Sequence, residues 1–213
     1  MKYARVMLRL YDYHESGNAY KVRLLLTQLD CEFERVHLDI LTGETRTKDF
    51  EAKNLNQRVP VLELADGRCL AESNAILLYL AENTPLLPKD PYERALAIQW
   101  MFFEQYSHEP YIAVVRFWHF SQTLDQHTDE LDAKVQRGYE ALDVMERHLE
   151  GREFFAGKQY STADIALFAY THVAHEGKFD LAPYDNINAW LTRVAEQPGH
   201  IGIEEPAGTL VCA

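Results

Sequence analysis

Three short segments carry residue types that could do chemistry together. The first is Tyr13-His-Glu-Ser-Gly-Asn-Ala-Tyr-Lys21. Ser16 and Asn18 are good helix N-cap residues, and Gly17 lets the backbone turn sharply or approach a ligand closely. A helix start displays unpaired N–H groups and a partial positive charge, which suits an anion. A hydroxyl placed there either caps the helix or donates a hydrogen bond to a bound thiolate or oxyanion. The second segment is Asn56-Gln-Arg-Val-Pro-Val-Leu62. Its Val59-Pro60 pair is either a cis peptide that turns the preceding backbone groups toward an extended ligand, or a proline opening an edge strand. Arg58 either grips a carboxylate or is a solvated charge. The third is Ala71-Glu72-Ser73-Asn74. There Ser73 would offer its hydroxyl and backbone N–H to a carboxylate, and Glu72 a negative charge to an amine; a plain N-cap is the alternative.

The elements that must position these residues follow from hydrophobic spacing. Val6 to Tyr13 reads as a strand, with Val6, Leu8 and Leu10 on one face. Val22, Leu25, Leu26 and Leu29 follow the i, i+3, i+4, i+7 spacing of a helix face. Phe33 to Leu38 is a second strand and Phe50 to Asn54 a short helix. Val61–Leu64 and Arg68–Leu70 flank Asp66-Gly67, a tight-turn pair, and Ser73 to Glu82 reads as a helix with Ile76, Leu77 and Leu80 inward. The order predicts a right-handed parallel crossover followed by an antiparallel hairpin, hence a small mixed sheet with helices on both sides. In such a sheet ligands bind where the strands' carboxyl ends meet helix starts, and all three segments can reach that edge. A hydroxyl, extended backbone pairing and a paired carboxylate and amine site suit a small peptide with a free amino-acid head and a sulfur.

Pro85, Pro88 and Pro91 mark a linker. After it, 92–123, 130–149, 162–175 and 187–196 all read as helical, with Pro110 kinking or breaking the first. The expected division is residues 1–84, a linker at 85–91, and an all-helical part from 92 to 213.

Charge and composition exclude several function classes. Among 213 residues, Lys and Arg total 21 against 33 Asp and Glu, a net charge of −12. With no long basic run to displace counterions, a nucleic-acid partner is not expected, nor is an anionic membrane surface. The longest mainly apolar stretch, Ala75 to Ala81, is too short to span a bilayer, and Met1 to Arg9 lacks the apolar core of a secretory signal. Cys31, Cys69 and Cys212 make an odd count without CxxC spacing, so neither a disulfide framework nor a metal site is expected. Cys31 and Cys69 read as small core residues rather than nucleophiles, and a reduced cytoplasmic compartment fits.

The first half resembles the thioredoxin-like domain of cytosolic glutathione transferases. Val59-Pro60 matches the family's cis-proline motif, and Glu72-Ser73 matches its acidic residue and serine, which hold the γ-glutamyl end of glutathione. The second half resembles the family's helical domain through Tyr160-Ser-Thr-Ala-Asp164-Ile165-Ala-Leu. There Ser161 and Asp164 match the family's capping box, and Tyr160 and Ile165 its hydrophobic staple. Ser16-Gly-Asn18 is similar to bacterial, theta- or nu-like members in which a hydroxyl and an asparagine sit beside the glutathione sulfur. It departs from members with a catalytic tyrosine or cysteine.

The resemblance implies an α+β thioredoxin-like domain (βαβ-α-ββ-α) followed by an all-α domain. It implies a homodimeric, cytoplasmic, detoxifying glutathione transferase that uses glutathione as co-substrate and no metal. Ser16 and Asn18 would stabilise the thiolate, while Arg58, Val59, Pro60, Glu72 and Ser73 would hold the rest of glutathione. A small electrophile is expected in the cleft lined by the first long helix of the second half, with His108, Tyr111 and Arg116 as candidates and Trp118 beside them. Two alternatives stand: glutathione-dependent disulfide or peroxide reduction, and a non-catalytic binding module that keeps the fold.

Overall fold

The computed structural model describes residues 8–211, so Val6 and Cys212 lie outside the described residues. Two compact units are present. One runs through Glu82 and takes up the chain again from Pro198; the other spans Asn83–Gln197.

The first unit follows the expected strand and helix order. It contains β1 (Leu8–Asp12), α1 (Gly17–Gln28), β2 (Phe33–His37), α2 (Lys48–Glu51), β3 (Val61–Glu63), β4 (Cys69–Ala71) and α3 (Ser73–Ala81). β1 and β2 are parallel, whereas β1–β3 and β3–β4 are antiparallel. Alternation along the strands builds two cores, since successive side chains leave a strand on opposite faces. Leu10 and Leu62 join Val22 and Leu26 of α1, Ile76 of α3 and Phe33. Tyr11 and Val61, their neighbours in sequence, join Val36, Leu38 and Phe50 of α2 on the other face. Each fully buried aliphatic side chain contributes roughly 1.5–3 kcal/mol. The hairpin turns at Gly67, whose φ of +81 is a conformation a side chain would oppose, while Asp66 accepts from the Arg68 backbone N–H.

The chain end departs from the expected division. A fifth strand, β5 (Thr209–Val211), lies parallel to β2 and extends the sheet to the order β4-β3-β1-β2-β5. Tyr20 Oη donates to the Ile201 carbonyl at 2.7 Å, and Arg23 Nη2 to the Ile203 carbonyl at 3.1 Å. The expectation of a helical part running to residue 213 is therefore corrected: the tail belongs to the sheet-containing unit. A three-residue strand is too short to be recognised by period.

The second unit holds α4 (Pro91–Phe103), α5 (Glu109–Phe120), α6 (Thr128–Leu149), α7 (Thr162–Thr171) and α8 (Asp185–Ala195). Asp90 caps α4, and Pro91 opens it where a missing N–H costs nothing. The long first helix does not break at Pro110. It widens into a π-helical turn, Glu104–His108, immediately before it. Proline supplies no N–H and clashes with the carbonyl four residues back, and a wider turn relieves both. α7 is buried along its whole length. Its start carries the full capping box, with Ser161 Oγ accepting from the helix backbone and the Ser161 N–H donating to Asp164 Oδ2 at 2.9 Å.

Candidate functional site

Strand register brings the three chemistry-bearing segments to one edge of the first unit. Tyr11 pairs with Val61, and Val61 with Ala71. The chain leaves β1 just beyond Tyr11, enters β3 at Val61 and leaves β4 at Ala71. The β1–α1 turn, Val59-Pro60 and the start of α3 thus emerge at the same end of three neighbouring strands. The Val59-Pro60 bond is cis.

Ser16 is the N-cap of α1, with an extended backbone, and its Oγ accepts from the Ala19 N–H at 3.2 Å. A hydroxyl has one donor besides its acceptor sites, so capping and donation to a ligand are compatible. Asn18 stands two positions further on, half-buried in the same first turn. Its Oδ1 accepts from Lys21 Nζ at 2.7 Å and from Ser73 Oγ at 3.1 Å; Lys21 Nζ is 3.5 Å from Ser73 Oγ. α1 and α3 pack together, which is what allows Ser73 to reach Asn18.

Ser73 is the first residue of α3, not its cap, and its hydroxyl is directed to Asn18. The donor left for a carboxylate is the backbone N–H, one of the four that a helix start leaves without an intrahelical partner. Glu72 occupies the cap position with φ 68 and ψ 112, and its side chain makes no capping bond. A non-glycine residue in that region costs about 1–3 kcal/mol, and such strained positions cluster at active sites and ligand clamps. Glu72 is exposed. Arg58 is exposed, and its carbonyl accepts from Asn54 Nδ2 at 2.8 Å, which secures the approach to Val59-Pro60.

Lys21 is a further member of this network. It is fully buried within α1, where every residue from Ala19 to Leu26 is buried. Its spacing of three from Asn18 puts both on one helix face, a relation visible in the sequence. Its partner Ser73, 52 residues away, was not. Arg23 is buried too, and donates to Asp12 Oδ2 at 2.7 Å and to the His14 carbonyl at 2.7 Å, bracing the turn that carries Ser16.

The electrophile-site candidates belong to the helical unit and are largely committed inside it. His108 is fully buried, with Nε2 2.9 Å from Thr171 Oγ1, so it cannot line an open cleft. Arg116 is buried and donates from Nε to Glu176 Oε2 at 2.7 Å. Trp118 is buried and stacks on His127. His108 and Arg116 are thus buried, and Thr171 and Glu176 of the same helical unit engage one nitrogen of each. Tyr111 is half-buried, with Lys134 Nζ 5.6 Å from its ring centre.

Cys31 and Cys69 are free and half-buried. Burial raises the pKa of both thiols, which lowers their reactivity. Cys31 lies past the C-terminal end of α1, a helix of 12 residues, about 18 Å from Ser16 along the helix axis. Among the described residues no three His, Cys, Asp or Glu side chains converge as a metal site would require.

The chain matches the model of the glutathione S-transferase N-terminal domain over residues 6–82 and that of the C-terminal domain over residues 95–198. It is similar to the crystal structure of a glutathione S-transferase from Pseudomonas fluorescens Pf-5, with 49% identity and a TM-score of 0.91 over 93% of this chain and 99% of that one. A glutathione transferase from Burkholderia graminis, solved with two glutathione molecules bound per subunit, is 30% identical with a TM-score of 0.79, covering 91% of this chain and 85% of that one. The disulfide-bond oxidoreductase YfcG of Escherichia coli K12 is 29% identical over 90% of this chain and 92% of its own length. With both domain models matched in order across most of its length, the chain belongs to the glutathione S-transferase family.

Proposed function

We propose that this protein is a glutathione transferase that activates the glutathione thiol for attack on a small electrophile. The observation that carries this reading is the meeting of Ser16, Asn18, cis Val59-Pro60, Glu72 and Ser73 at one sheet edge, in a chain of this family. Glutathione would lie along that edge. The Glu72 carboxylate would pair with its α-amine, the Ser73 backbone N–H with its α-carboxylate, and Val59 with its peptide backbone. Arg58 remains at the rim as a further charge for the ligand.

A free cysteine-type thiol has a pKa of about 8.5, so only a few per cent is ionised at neutral pH. Lowering it by about two units takes roughly 2.7 kcal/mol of preferential anion stabilisation. The Ser16 hydroxyl, an Asn18 amide N–H and the start of α1, each contributing about a kcal/mol or more, are sufficient. Ser16 acts as a donor, not as a covalent nucleophile. The electrophile contacts are proposed to include Tyr111, not His108 or Arg116.

Disulfide reduction by two glutathiones is the second reading, favoured by the likeness to YfcG and by the position of Cys31 past the far end of α1 from Ser16. The first thiolate would displace one sulfur of the disulfide. The second would release the bound glutathione as its own disulfide, with no protein thiol needed. As to assembly, a homodimer is proposed. Leu55 in the first unit and Tyr106 in the second are 87% and 84% exposed, so each unit separately shows a large apolar side chain that a second copy would cover. No described helix is long and apolar enough to cross a membrane. A cytoplasmic location is proposed because three cysteines without CxxC spacing suit a reducing compartment.

Calorimetric titration with glutathione, followed by turnover with chlorinated aromatics, epoxides, peroxides and mixed disulfides, tests these readings. Conjugation exceeding disulfide reduction supports the first; the reverse supports the second. Absence of glutathione binding would leave only a non-catalytic module.

A further inference from the structure

We propose that Lys21 is a positioning residue that fixes which side of the Asn18 amide faces the glutathione sulfur. This rests on reading the edge as a glutathione site. An asparagine amide has an acceptor side and a donor side, and only the surrounding bonds decide which way it turns. A lysine ammonium has donors and no acceptor. At 2.7 Å from Lys21 Nζ, the Asn18 atom must therefore be oxygen, because an amide N–H there would oppose another donor. Ser73 Oγ, 3.1 Å away on the same oxygen, adds a second donor to that side. With Oδ1 held by both, Nδ2 and its two N–H groups are turned the other way.

The consequence is chemical. Asn18 meets the ligand as a donor, which suits a thiolate. Without Lys21 the amide can turn over and present oxygen, which would repel the anion. Lys21 is fully buried, so its ammonium is held in one place and does not compete as a mobile surface charge. The network also joins the two ends of the site. Ser73, at the helix start proposed to take the glutathione carboxylate, and Asn18, beside Ser16, share one oxygen atom and one lysine.

The test is ultraviolet titration of the glutathione thiolate bound to wild type, Lys21→Met, Asn18→Ala and the double variant. Met keeps the length of the buried side chain and removes its donors. Lys21→Met is expected to raise the bound thiol pKa by about one unit, the scale of a lost favourable contact to the charged form. Asn18→Ala is expected to do the same, and the double variant to add nothing, since both act through one amide. An unchanged titration in Lys21→Met, or additive shifts in the double variant, would overturn the proposal whatever the effect on stability. Should Lys21→Met not fold, Asn18→Asp serves: it keeps an acceptor for Lys21 but has no Nδ2 donor. It is expected to fold and to lose the thiolate stabilisation; a wild-type titration curve would overturn the proposal. The two levels fail differently. If wild type binds no glutathione, the glutathione reading falls and takes this inference with it. If wild type lowers the thiol pKa and Lys21→Met matches it, the inference alone falls.

Discussion

At the scale of single residues, Ser16 has two jobs that a mutation separates. As N-cap it satisfies the Ala19 N–H; as donor it would stabilise a thiolate. Ser16→Ala is expected to raise the pKa of bound glutathione and to lower the turnover rate at neutral pH by roughly ten- to a hundred-fold, for a lost bond to a charged group of about 1.5–3 kcal/mol. Ultraviolet titration with parallel kinetics checks it. An identical titration curve would leave Ser16 as a helix cap only. For the amino-acid head, Glu72→Gln removes the charge proposed to pair with the α-amine. It is expected to weaken glutathione binding by about 1–3 kcal/mol, read by calorimetry, with the melting temperature little changed because Glu72 is exposed and makes no capping bond. Equal affinity in the variant would remove Glu72 from the site.

At the scale of elements, the start of α7 shows how far a local motif can be tied into a core. Asp164 is fully buried and accepts four hydrogen bonds. Phe155 N–H and Trp190 Nε1 reach Oδ1, both at 3.0 Å, and the Ser161 N–H and Oγ reach Oδ2. Burial pushes its carboxyl up to about 6, against the pull of those donors. A folded pKa above the unfolded value of 3.8 means that the folded state holds the proton more tightly between those two pH values. This contribution is therefore full below about pH 4 and is lost as pH rises through about 6, a change of roughly 3 kcal/mol. Asp164→Asn cannot titrate. Urea unfolding from pH 4 to 7 is expected to show wild type losing stability relative to this variant as pH rises; a constant difference would refute the shift. Asp164→Ala, which leaves Trp190 and Phe155 without their acceptor, is expected to cost about 3–5 kcal/mol, more than a surface cap.

At the scale of the molecule, the returning tail ties the end of the chain to the turn that bears Ser16. Arg23 is the link: it pairs with the buried Asp12 and donates to the carbonyls of both His14 and Ile203. The tail also packs closely enough that a side chain at Gly208 would collide with the Phe33 ring, 2.5 Å from a Cβ built there. Arg23→Met leaves the Asp12 charge in the core, with Arg35 Nε 3.6 Å away as its remaining cation. It is expected to cost about 3–5 kcal/mol in urea unfolding. Hydrogen exchange should quicken at residues 201–211 and at the Ser16 turn together. Faster exchange in the tail alone would show that the two are independent.

Much of this protein is legible in its sequence because the information is local. The 3.6-residue spacing of Val22, Leu25, Leu26 and Leu29, the alternation around Leu10 and Leu62, Asp66-Gly67 and Ser161–Asp164 each encode their conformation within a few residues. The same holds for the three segments that line the edge, since strand order and strand direction place them there. What only the tertiary structure decided are the pairings between distant residues. Ser73 turns to Asn18 because α1 and α3 pack on one face of the sheet. His108 and Arg116 look like site residues by type, yet Thr171 and Glu176, about 60 residues further along the chain, engage them within the helical unit. The tail becomes a strand because β2 offers a free edge, not because three residues prefer one. A side chain's local pattern states what it can bond to; which partner it meets is decided by which elements pack, and that depends on the whole chain.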